Sequence, residues 1–178
     1  MESRPITLSE LLESRDNRRA NQLRILNENK GATLIVATVV IPGNVKRTDD
    51  SLAIAEAADK AIKERFGAKI KNVLSSDLPT GFESYYISAS APDETKALTV
   101  SIEDSHPLGR MMDIDVFDPE GNQISRADRG ETARKCLLCD NDARICMRAF
   151  THSQEELLDE IHRRVVMWHS SCSSSSEP

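Results

Sequence analysis

The sequence predicts a single domain of the α+β or α/β class, a mixed sheet flanked by helices, on three observations. Residues 33–41 (TLIVATVVI) are β-branched and almost wholly apolar, as in a strand covered on both faces. Apolar residues recur at helical spacing before and after that stretch. Residues 112–116 (MDIDV) alternate apolar and acidic side chains, the period of a strand with two unlike faces. At 178 residues the chain has the length of one domain with a sizeable core.

The first helix opens at Thr7 or Ser9, either of which can cap it. It carries Leu8, Leu11, Leu12, Leu23, Ile25 and Leu26 to about Asn29, and its Arg15, Arg18 and Arg19 read as a solvated face. Gly31 stops it before the apolar strand, which ends in the turn Pro42-Gly43. Asp49, Asp50 or Ser51 then caps a second helix running to Phe66, with Ile54, Ala58 and Ile62 inward and Gly67 closing it. Residues 70–74 and 83–89 read as strands joined through Pro79-Thr80-Gly81. Pro92 begins a further helix ending near Ser105. The acidic strand follows and returns through Pro119-Glu120-Gly121-Asn122 into residues 123–125 as a hairpin. Residues 154–168 form the last helix. The domain is expected to span residues 1–169, with the serine-rich 170–178 a disordered tail.

The chemistry-bearing stretch is 105–118 (SHPLGRMMDIDVFD). On a strand Asp113 and Asp115 share a face, and like charges that close call for a cation; two carboxylates commonly hold Mg²⁺ against substrate phosphates. Gly109 offers a close backbone approach and Arg110 a planar fork matched to phosphate oxygens. Together these suggest phosphoryl or nucleotidyl transfer, set against a solvent-facing strand edge with two ordinary acids. Glu103 stands near enough upstream to be a third ligand. Lys46 belongs either to an exposed turn or to a phosphate-contacting loop at the strand end. His106 and His152 are isolated imidazoles in the sequence.

Cys136, Cys139, Cys146 and His152 have the spacing C-x2-C-x6-C-x5-H, which fits a closed tetrahedral Zn²⁺ site. A knuckle usually carries turn glycines, however, and Leu137, Leu138, Ala143 and Ile145 look like helical core positions. The sequence therefore favours buried free thiols over zinc.

Composition sets limits. A net charge of −6 argues against a non-specific nucleic-acid binder and requires any polyanionic substrate to be met by local arginines. No apolar run approaches the roughly 20 residues of a membrane span, and the N-terminal residues have no apolar core of a leader, so a cytoplasmic protein is expected. The chain has no Walker loop, no GxGxxG and no internal repeat.

The runs TVVIPGNVK (38–46), SHPLGR (105–110) with DIDV (113–116), ISR (124–126) and CLLC (136–139) with Cys146, Arg148 and His152 resemble, in order and over nearly the whole chain, the apo-citrate lyase phosphoribosyl-dephospho-CoA transferase family. The resemblance implies a nucleotidyltransferase-like sheet. It also implies transfer of the prosthetic group of 2'-(5''-triphosphoribosyl)-3'-dephospho-CoA to a serine of the citrate lyase acyl carrier subunit, with release of diphosphate. Asp113 and Asp115 would then hold Mg²⁺ at the phosphates, Arg110, Lys46 and Arg126 would bind them, and His106 is the nearest candidate base. Two other readings stay open, a zinc-binding interaction module built on the cysteines and a metal-dependent phosphoesterase that uses the same aspartates with water.

Overall fold

The computed structural model describes residues 3–127, 130 and 132–174. Helix α1 (Leu8–Glu28) begins at Thr7, whose hydroxyl accepts from the Glu10 amide while the Glu10 carboxylate accepts from the Thr7 amide, a capping box. Strand β1 (Thr33–Val39) follows, then α2 (Asp49–Phe66), capped by Thr48 and not by the acids after it. Strands β2 (Ile70–Leu78) and β3 (Gly81–Ser88) form a hairpin whose turn leaves through Gly81 at φ 117°, a conformation glycine adopts freely. Helix α3 (Pro92–Ser105), β4 (Met112–Phe117) and β5 (Gln123–Ile124) come next, then a short α4 (Ala143–Ala149) and a long α5 (Gln154–Ser174).

The five strands form one sheet in the order β2-β3-β1-β4-β5, and every ladder in it is antiparallel. Of the two expected classes the fold is therefore α+β. The succession β1-α2-β2-β3-α3-β4, with β1 between β3 and β4, is the split β-α-β arrangement.

Alternation along β1 divides the core into two layers. Ile35 and Ala37 face α2, α3 and α5, where they pack with Ile54, Ile62, Ile102, Ile114 and Ile161. Leu34 and Val36 face α1 and meet Ile25, Leu26, Tyr85 and Phe117. The second layer is apolar only at one end. Toward its N-terminus α1 exposes Leu8 and Leu12 and buries Ser14 in their place, so the expected leucine stripe does not seal that end of the sheet.

The serine-rich segment expected to lack structure from residue 170 instead continues α5 to Ser174. The hydroxyls of Ser170 and Ser171 donate to the carbonyls of Val166 and Trp168, which satisfies side chains that would otherwise compete with the helix. The rest of that tail, 175–178, lies outside the described residues. No described helix is long and apolar enough to cross a membrane.

Candidate functional site

Because Met112, Ile114 and Val116 are committed to the core under α3 and α5, Asp113 and Asp115 turn toward the α1 side of β4. Across β1, Thr38 stands between Asp113 on β4 and Glu83 on β3, which puts three carboxylates at the poorly sealed end of that face. Glu83 is buried and engaged: it accepts from Arg18 at 2.9 Å, from Ser14 at 3.4 Å and from the Tyr85 hydroxyl at 2.6 Å. Arg18 thus leaves the solvated face expected of it and reaches onto the sheet.

The two aspartates are less settled. Asp113 Oδ1 accepts from Arg134 at 3.1 Å and Asp115 Oδ1 from Gln123 at 2.6 Å; among the described residues neither Oδ2 has a donor. Burial, and next the charge of Asp113, push the Asp115 carboxyl up to about 6. A carboxylate pair held this way is relieved by a cation, and its carboxylate oxygens suit a hard, oxygen-seeking ion such as Mg²⁺.

Strand β5 covers only the last two residues of β4, so the rest of that edge is closed by side chains. Glu103 accepts from the Ile114 amide at 2.9 Å, Lys96 donates to the Ile114 carbonyl at 3.4 Å, and Arg134 donates to the Met112 carbonyl. Both Glu103 oxygens are taken, one by Ile114 and Arg134 (3.0 Å), the other by Arg126 (2.7 Å). Glu103 is therefore an edge-capping anchor and not a free third ligand. Arg126, expected at the phosphates, is held between Glu103 and Asp104.

Arg110 is the arginine of this cluster that makes no ion pair among the described residues. Burial, then the guanidinia of Arg134 and Arg126, lower its pKa from the ordinary value. The Nε atoms of Arg110 and Arg134 are both buried without a hydrogen-bond acceptor. Two orphaned guanidinium donors amid like charges make a place where an anion is wanted.

Three expectations change. Gly109 is buried, its amide donates to the His106 carbonyl at 2.8 Å, and a Cβ there would come within 2.7 Å of the Glu103 backbone. Its missing side chain lets the turn pack on α3; its amide is not open to a phosphate. His106 accepts from the Leu108 amide at 3.0 Å through Nδ1, and its ring lies 6.1 Å from that of Trp168 on α5. It sits on the helix-covered side of the sheet, away from the aspartates, and burial lowers its pKa. Lys46 does lie at the right end, in a loop whose Val40 amide bonds the Met111 carbonyl, but its ammonium donates to the Ile41 carbonyl.

Sequence reasoning missed Arg134 and Glu83. Arg134 precedes the cysteine segment, whose three thiols and His152 converge on one another at some distance in sequence from the acidic strand. The one clue to Arg134 was its closeness to that motif. Glu83 gave none toward Arg18 and Ser14, which are 65 and 69 residues away.

Comparison with known proteins points to one family. A family model described as apo-citrate lyase phosphoribosyl-dephospho-CoA transferase matches residues 6–167. Proteins carrying that name from Escherichia coli O1:K1 and from Shigella flexneri serotype 5b are each 35% identical over 159 residues, which is 88% of this chain and 86% of each relative.

Proposed function

The chain belongs to the apo-citrate lyase phosphoribosyl-dephospho-CoA transferase family, and from that membership we propose how its own residues carry the transfer. It is a transferase that modifies apo-citrate lyase with a phosphoribosyl-dephospho-CoA group. The family likeness favours neither a zinc-centred interaction module nor a phosphoesterase. In our reading the donor is the triphosphoribosyl derivative of dephospho-CoA and the acceptor a serine hydroxyl of the citrate lyase acyl carrier subunit. The hydroxyl oxygen bonds to the α-phosphorus and gives up its proton to solvent, the bond from that phosphorus to the bridging oxygen breaks, and diphosphate leaves with that electron pair. The reaction is set in the cytoplasm, where the thiols stay reduced.

The observation that carries this reading is the aspartate pair, each with an oxygen that has no donor among the described residues, beside Arg110 and Arg134, whose Nε donors lack acceptors. Asp113 and Asp115 would hold Mg²⁺, which when bound neutralises charge on the reacting phosphate and the departing diphosphate. Arg110 meets the phosphate chain, since a triphosphate supplies the oxygens its orphaned donors lack. Arg134, already on Asp113, keeps that carboxylate oriented while offering its own unpartnered Nε to the same anion. Lys46 joins only if its ammonium leaves the Ile41 carbonyl. Arg126 acts through Glu103, by fixing the edge on which Arg134 rests.

A transfer assay with apo acyl carrier and the triphosphoribosyl precursor, read by intact mass, tests this. Asp113→Asn should lose most of the rate with the fold intact, and EDTA should do the same to the wild-type chain. Near-normal turnover in the variant would remove the aspartates from the mechanism.

A further inference from the structure

We propose that Cys136, Cys139, Cys146 and His152 bind one Zn²⁺ as a closed structural site, and that this site fixes Arg134 beside Asp113. The ligand atoms of all four lie within 4.8 Å of one another. Cys139 Sγ is 3.5 Å from Cys146 Sγ and 3.4 Å from His152 Nε2. A tetrahedron with Zn–S near 2.3 Å has edges of about 3.5–3.8 Å, so these spacings are those of ligands around a common centre.

The backbone is shaped for the same end. Cys136 donates its own amide to the Asn141 carbonyl at 2.7 Å, and Ala143 to the Arg134 carbonyl at 2.9 Å, closing the loop that carries two ligands. Helix α4 presents the third. The fourth returns because Phe150 takes φ 49°, rare for a bulky residue, and turns the chain so that Thr151 donates to the Cys146 carbonyl at 3.1 Å.

What else could hold this segment is little. Leu138 and Ile145, expected in a helical core, are exposed, as are Met147 and Phe150; of residues 132–153 only Cys146 is buried. So short a stretch without a core needs a staple. A disulfide would leave one of three converging thiols over, whereas thiolates with an imidazole in tetrahedral array select zinc. All four positions are filled, so the metal has no open site for chemistry. Arg134 lies two residues before Cys136, and its carbonyl is part of the loop while its guanidinium bridges Glu103 and Asp113.

Elemental analysis of the wild-type chain, purified without chelator, should find about one zinc per chain. Cys139→Ser and His152→Ala should lose it. Cobalt added to the apoprotein should give the intense ligand-field bands of tetrahedral thiolate coordination, a reading that does not depend on how the variants fold. Zinc far below stoichiometry with no such cobalt spectrum overturns the site. So does a native mass short of two hydrogens, which marks a disulfide, or iron in place of zinc. Zinc removal should slow transfer on the order of tenfold in the wild-type chain, and much less in Arg134→Ala, where the positioned group is already gone. Equal slowing in both would overturn the link to Arg134; the metal measurement stands whether or not Asp113 and Asp115 carry Mg²⁺.

Discussion

Asp115→Asn should make the metal-free protein more stable while abolishing its activity. The side chain keeps its shape and can still accept from Gln123, but it no longer brings a second charge against Asp113. A carboxyl moved from its ordinary 3.8 to about 6 is worth at most about 3 kcal/mol at neutral pH. Solvent reaching the half-buried pair lowers that to about 1–2 kcal/mol, or about 2–8 °C in Tm for a domain of this size. The sign follows from linkage: because the folded carboxyl holds its proton more tightly than the unfolded one, its contribution is full below about pH 4 and is lost as pH rises through about 6. Thermal unfolding in EDTA from pH 5 to 8 should therefore show a gap between variant and wild type that opens with pH. A variant less stable than wild type at pH 7.5, or a gap independent of pH, would mean that the pair is not under strain and that the argument for a cation between its members fails.

Two further outcomes are expected. Arg110→Lys keeps the charge and loses the fork, so its transfer kinetics should be impaired nearly as much as those of Arg110→Ala, by about 1.5–3 kcal/mol or roughly ten- to a hundredfold; rescue by lysine would show a simple electrostatic role. Gly109→Ala, with a Cβ thrust onto the Glu103 backbone, should cost about 1–3 kcal/mol in urea unfolding, and an unchanged midpoint would show that the turn has slack.

The strand carrying Asp113 and Asp115 was legible because a two-residue period is a local property: once Ile114 and Val116 go to the core, both acids must face the other way. The roles of the residues around it were not, because each is set by approach in space. Glu103 has the composition of a third metal ligand, and only the shortness of β5, which leaves the Ile114 amide unpaired, turns it into an edge cap. That assignment then draws in Arg126 and leaves Arg110 as the arginine without an ion pair among the described residues. His106 lies closer to the aspartates in sequence than Arg134 does, yet the turn at Gly109 sends it to Trp168 while the cysteine loop brings Arg134 back.

The same logic bears on the cysteine motif. Leu137, Leu138, Ala143 and Ile145 have the spacing of a helix face, and periodicity cannot say whether a core exists to receive it. Here Leu137 reaches the core only at its margin and Ile145 is left in solvent, so the apolar pattern stabilises little. In our proposal a segment that gains so little from burial and still holds Phe150 in a left-handed turn is fixed by a metal ion on the converging sulfurs and imidazole. The acidic strand and the cysteine loop are thereby joined: the loop ends in Arg134, and Arg134 ends on Asp113.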